Sequence, residues 1–445
     1  AGNAGTTVTS GSGSVTFDGT APSLSDVSIV SSNSTNTHAK VGDVITLTMT
    51  ANETITQPTV TFTSGITDIT DTTITYNNTG NTWTAKYTAN ANDTEGAVSY
   101  SIAFSDTAGN AGTTVTSGSG SVTFDKTAPT VTISSSVISS GDTSNHDPLP
   151  LTFTASEATT DFVAGDITTS HGTLNTLATT DYITFTTDLN PADNNHTCTV
   201  QVLADTFTDA AGNPNVASET FTWNYDGTTP TMTISTSDVS TDEISNATPI
   251  TFTFTASEST TDFISDDIAV INGTISNFSA TGTSGTTYTA SFTPSGDGAC
   301  EIKVPAGSFA DAGGNDNAVS NIISWTHDAT APEMVIASDT VSSGSTTTDN
   351  PIVLTFTASE AITEFVAGDI TVTGGSISNF SGSETNYTAE FTPTADGACT
   401  IEVYAGTFID ATGNTNNASN IFTWTYEDTA PTMEITSDTV TSGST

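Results

Sequence analysis

The chain repeats itself at intervals of about a hundred residues, so whatever it folds into has to close within that interval. Residues 1 to 18, AGNAGTTVTSGSGSVTFD, recur unchanged at 108 to 125. A second landmark, an acidic residue shortly before Thr-Ala-Pro or Thr-Thr-Pro, recurs as Asp18 with Pro22, Asp125 with Pro129, Asp226 with Pro230, Asp328 with Pro332, and Glu427/Asp428 with Pro431. These hinges divide the chain into a C-terminal strand of a preceding domain (1–18), one domain of a first type (19–125), three of a second type (126–226, 227–328, 329–427), and the first strand of a following domain (428–445). The array is expected to continue at both ends.

Within a repeat, apolar residues alternate with Thr. Ile250, Phe252 and Phe254 take every second position, and Thr251, Thr253 and Thr255 take the others. That period of two is a strand with one face in a core and one in water. Ser and Thr make up about a third of the residues, and Thr, being β-branched, suits the wet face of a sheet. Low hydrophobicity and high charge also mark disorder, but 21 Phe, 9 Tyr and 4 Trp in regular alternation argue for a core. Short strands punctuated by Gly, Asn, Asp and Pro, with no helical period, predict an all-β fold of tandem antiparallel β-sandwiches, strung into an extended rod.

The ordered motifs of the second-type repeats resemble the bacterial immunoglobulin-like repeats of giant extracellular adhesins and biofilm surface proteins. The motifs are TFTASEATTDFVAGDIT, SISNFSG, YTAEFTPTADG, AGTFIDATGNTNNAS and the closing Asp-x-Thr-Ala-Pro hinge. The first-type repeat is similar in its hinge and its DTAGNAG loop but lacks the Cys and the Trp of the others. The resemblance implies immunoglobulin-like domains in a cell-surface stalk stiffened by calcium, and it does not imply an enzyme.

In such a sandwich the second strand, ending at Thr-Ala-Ser-Glu, and the penultimate strand, ending at an Asp-x-x-Gly-Asn loop, both return to the pole where the hinge arrives. Asp125, Glu157, Asp209 and Asn213 are therefore expected to meet, as are Asp18, Glu53, Asp106 and Asn110; Asp226, Glu258, Asp311 and Asn315; and Asp328, Glu360, Asp410 and Asn414. Three carboxylates and an amide form a hard-oxygen set suited to calcium, which takes six to eight oxygens in flexible geometry. Binding there converts a self-repelling joint into a stiff one. The plainer reading is that each acid caps a turn. Asp161, Asp166, Asp262, Asp266, Asp267 and Asp369 are secondary candidates, or solvated loop acids.

Cys198, Cys300 and Cys399 occupy one register, too far apart to pair along a rod, and share a face with residues such as Ile302 and Ile401. They read as buried hydrophobes, with an interchain disulfide as the alternative. Trp223, Trp325 and Trp424 read as core, as does Trp83; an exposed row of indoles would instead stack on sugars. The five histidines, His38, His146, His171, His196 and His327, do not recur in register, and none pairs with a Glu or His at zinc spacing. Lys-Asn crosslinks fail for most repeats, because the lysines are only Lys40, Lys86, Lys126 and Lys303. Sequons such as Asn52, Asn92, Asn277 and Asn386 are no more frequent than so much Ser and Thr produces by chance.

With 49 acidic against 4 basic side chains the net charge is −45, which repels phosphate and excludes nucleic acid and anionic membrane as partners. No apolar run is long enough to insert in a bilayer. The leading expectation is a non-enzymatic spacer in a secreted adhesin, with adjacent repeats as its partners. Alternatives are a shaft subunit of a multi-chain filament, joined to identical chains by lateral or strand-exchange contacts, and a module binding glycans through flat Thr faces.

Overall fold

The computed structural model describes residues 11, 13–260 and 262–436. The expected strands within 1–18 and 428–445 fall partly outside those residues, and the described parts, 13–18 and 428–436, carry no strand. The chain forms two compact units, Ala1–Thr228 and Thr229–Thr445, each described by itself. Each holds two β-sandwiches, and among the described residues the only helices are three single 3₁₀ turns.

In the second sandwich of the first unit, one sheet runs in the order Val131–Ser134, Leu149–Ala155, Thr184–Pro191, Gly172–Leu174. The facing sheet runs Thr143–Ser144, Phe221–Tyr225, His196–Val202, Ile167–Ser170. Both sandwiches of the second unit repeat this order. All neighbours pair antiparallel except one: Thr143–Ser144 runs parallel to Phe221–Tyr225, as do the corresponding strands of the other three sandwiches. The alternation read in the sequence is the burial pattern of the strands, with Ile250, Phe252 and Phe254 wholly buried and the intervening Thr exposed or half-exposed. Where a strand must bulge, at Asp26, Asn277 and Asn379, the chain places residues that tolerate left-handed φ (51°, 53° and 52°).

Each core is built from both sheets. Trp325 packs on Phe252 and Phe292 with ring centroids 5.8 and 4.9 Å apart, and Trp223 donates its indole N–H to Ser144 Oγ at 3.1 Å. Rings of this size dominate core energetics, each contributing about 2–3 kcal/mol on burial. The first sandwich departs from this plan. Its final strand is only Thr123–Phe124, and its core centres on Phe62 against Tyr87, with Trp83 half-buried at the margin.

All three thiols are free and buried, and burial pushes their pKa values up. Cys198 Sγ donates to the His171 carbonyl at 3.3 Å. A sulfur sealed in the core cannot reach a second chain, so the interchain disulfide is not supported. His327 lies buried on the last strand of its sandwich, opposite Gly298.

Candidate metal centres

The Asp-x-x-Gly-Asn loop is where each candidate site begins. Asp209 is buried, and its Oδ1 accepts the backbone N–H groups of Ala211 and Asn213 at 2.8 and 2.9 Å. Its Oδ2 accepts from Asn213 Nδ2 at 2.8 Å. Asp410 is held likewise by Thr412 and Asn414, and Asp106 by Asn110. The turn-capping reading is thus literally what these aspartates do. Donors acting on the charged form outweigh burial and keep Asp106 and Asp410 below the ordinary carboxylate range.

Onto this anchored acid the fold brings two more. Asp125 from the hinge and Glu157 from the end of Leu149–Ala155 place a carboxylate oxygen so that these and one of Asp209 all lie within 4.8 Å of one another. Asp18, Glu53 and Asp106 form the same group, as do Asp328, Glu360 and Asp410. Asp226 belongs to the first unit and Glu258, Asp311 and Asn315 to the second; there Asn315 holds Asp311 as its counterparts do, through its backbone N–H at 2.9 Å and its amide at 3.0 Å.

Burial pushes Asp125 and Glu157 above the ordinary carboxylate range, and the charges of Asp209 and Glu95 push the same way. Glu360 is raised by burial, then by Asp328, Asp410 and Asp297. The two ion pairs among the described residues, His171–Asp193 and Lys303–Glu301, involve none of these ligands. Lys40 reaches the Asp209–Asn213 loop but gives its ammonium to the Gly212 carbonyl at 2.6 Å, not to a carboxylate. Like charges held together without an ion pair are a donor set that fits a divalent cation.

The asparagines differ from expectation. Asn213 aims its amide nitrogen, not its oxygen, at the site, bridging Asp209 Oδ2 and the hinge carbonyl of Asp125 (3.1 Å). Asn110 and Asn414 bridge in the same way, and the Asn414 oxygen accepts from Asn246 at 3.1 Å. An ionised carboxylate accepts only, so the amide serves best as donor. Asn110, Asn213 and Asn414 therefore position the acids and tie the hinge to the loop. Five of the six secondary acids are also structural: Asp166, Asp267 and Asp369 cap 3₁₀ turns, and Asp161 and Asp262 accept from backbone and hydroxyl groups of the neighbouring loops, while Asp266, among the described residues, is met only by Ser265 Oγ at 3.4 Å.

Sequence reasoning missed one set of hinge holders. Glu95 accepts from Lys126 N and Thr127 Oγ1, while Asp297 and Asp396 accept from hinge residues Ala329 and Thr330, and Asp428 and Thr429. Their signal was an acid-Gly pair recurring before the penultimate strand, Glu95-Gly96, Asp297-Gly298 and Asp396-Gly397.

A family profile described as a bacterial Ig-like domain matches residues 125–225, 226–326 and 328–426, well over half of the chain. The chain belongs to that family. No curated protein matches this tandem bacterial Ig-like chain in sequence. Solved structures similar to it include the titin I-band fragment I67–I69 (10% identity, TM-score 0.29, covering 69% of this chain and 98% of that one) and InvD of Yersinia pseudotuberculosis (15%, 0.29, 66% and 96%). The insect immune protein hemolin (10%, 0.21, 90% and 99%) is another. Assignment of the fold rests on the sheet topology and the family match. Among the described residues no helix is long and apolar enough to cross a membrane.

One bacterial Ig-like domain carries a further cluster, and here the histidine expectation is corrected. His171 and His196 stack with ring centroids 4.6 Å apart, and Asp193 Oδ2 lies 3.4 Å from His171 Nδ1. The strand register brings them together: Ser170 pairs with Thr199 and Gly172 with Pro191, so the residues just beyond those pairs face one another across the pole.

Proposed function

We propose that this bacterial Ig-like array is a structural spacer in a secreted surface protein, and that calcium held by the hinge, loop and strand-end carboxylates stiffens its joints. The observation that carries the reading is the meeting of Asp125, Glu157 and Asp209 within 4.8 Å, although they are spread along most of a domain's sequence. Glu157 and Asp209 belong to the body of the domain and Asp125 to the hinge before it. A cation bridging them fixes the angle at which one domain leaves the other. Oxygen-only donors favour calcium over zinc, and carboxylates brought from three separate segments favour its flexible geometry over strictly octahedral magnesium. The high negative charge keeps a long extracellular chain soluble.

Small-angle scattering of the whole chain, in millimolar calcium and in chelator, tests the proposal. Calcium is expected to lengthen the particle and narrow its distance distribution, and Asp125→Ala with Asp328→Ala to remove most of that change. Profiles identical in calcium and chelator would leave the acids as turn caps and hinge charge, and the calcium reading would fall.

A further inference from the structure

We infer that His171, Asp193 and His196 form a second kind of metal site, one for zinc or a similar divalent transition metal, at the C-terminal pole of the 125–225 bacterial Ig-like domain. Each residue offers one ligand atom, and the three atoms lie within 4.8 Å of one another. Two imidazoles and one carboxylate are borderline donors that prefer zinc, nickel or copper to calcium.

The geometry is specific in two respects. The contact of 3.4 Å between His171 Nδ1 and Asp193 Oδ2 is long for a charge-assisted hydrogen bond, but it matches the edge of a tetrahedron with metal bonds of about 2.1 Å, which is about 3.4 Å. His196 Nδ1 lies 2.9 Å from the Asn194 carbonyl, which can only accept. The proton therefore sits on Nδ1 and leaves the Nε2 lone pair outward, the orientation that an outer hydrogen bond gives to a metal-binding imidazole. The rings stack at 25°, so their in-plane lone pairs run nearly parallel, and one exposed imidazole has to turn out of the stack for both nitrogens to meet a single metal, with water completing the coordination.

The sibling domains show that the fold does not ask for these residues. At the position of His171 they carry Asn272 and Gly374, and at that of His196, Gly298 and Gly397. The backbone at 171 is left-handed (φ 54°), as at Asn272 (56°) and Gly374 (78°), so a histidine stands where Asn or Gly fits with less strain. Asp193 lies in a loop one residue longer than its siblings: Pro191 and Cys198 are seven positions apart, whereas Pro294 and Cys300, and Pro393 and Cys399, are six. The hinge contact that Asp297 and Asp396 supply is made here by Asn194, which accepts from Gly227 N and donates to Thr228 Oγ1 at 2.6 and 2.8 Å. That releases Asp193 for His171. A metal here would lock the loop that holds the hinge.

The test is calorimetric titration of zinc into the whole chain, stripped of metal and then saturated with calcium to occupy the acidic sites. One zinc per chain is expected, weakened at least about tenfold by His196→Gly and by His171→Asn, which install the residues of the sibling domain. Cobalt in place of zinc should give the visible absorption of a tetrahedral nitrogen-oxygen site in the parent protein and lose it in both variants, with circular dichroism unchanged. Zinc binding of equal strength in all three proteins would place the metal on the acids, and no zinc binding at micromolar concentration would equally overturn the site.

Discussion

The two poles of the 125–225 domain hold their charged groups in opposite ways. At the N-terminal pole, Asp209 is sunk in its loop, satisfied by backbone and amide donors, and repeated as Asp106 and Asp410. At the C-terminal pole His171, Asp193 and His196 are exposed, and the sibling domains carry no such trio at the matching positions. Where a residue recurs with the fold it is also part of the fold, and the metal binding proposed for it would be a second duty. Where it departs from its siblings, substitution reads the binding function alone.

The largest effect should come from making the repeated pole choose between its duties. Asp209→Ala or Asp410→Ala leaves buried N–H groups without acceptors and should cost about 2–4 kcal/mol in denaturant unfolding, in chelator as well as in calcium. A loss seen only in calcium would mean that the aspartate serves the metal and not the loop. A smaller effect should separate Glu157 and Glu360 from their aspartate neighbours. Their folded pKa values are raised above 4.5, so the charged form is disfavoured in the native state. The penalty is present above the folded pKa, shrinks as pH falls through it, and is gone below the unfolded value. In chelator, thermal stability should rise as pH falls from neutral toward 4.5, and Glu157→Gln with Glu360→Gln should flatten that rise. An unchanged slope would show that it reflects net charge alone. The smallest effect belongs to the variable pole. His171→Gly relieves a left-handed histidine and should raise stability by about 1 kcal/mol without zinc, read as a shift in thermal midpoint. A loss instead would show that the imidazole stack holds the loop.

How much of this was legible follows from what each signal depends on. Alternation such as Ile250 to Ala256 is local, and burial follows it residue by residue. That Glu157 nears Asp209 is a consequence of strand direction, because the ends of two returning strands share a pole. The role of Asn213 was not legible, since an amide is both donor and acceptor and only the surrounding groups decide which end turns inward. Glu95 and Asp297 were overlooked because an acid before glycine reads as an ordinary turn. His171 and His196 lie far apart in sequence with no repeat to flag them, and only the register of Ile167–Ser170 on His196–Val202 joins them. The weak final strand of the first sandwich was foreshadowed by its missing Trp and Cys.

The parallel pairing near the two ends of every sandwich has a mechanical consequence. Thr143–Ser144 continues the segment by which the chain arrives, and Phe221–Tyr225 leads to where it leaves. Tension that has passed the first strand, Val131–Ser134, slides these two strands along each other, so their hydrogen bonds are loaded together. A hairpin pulled from one end would instead unzip bond by bond. Each domain thus has a shear clamp across its points of attachment, and in the second-type domains the last strand of that clamp is the one that anchors the core tryptophan.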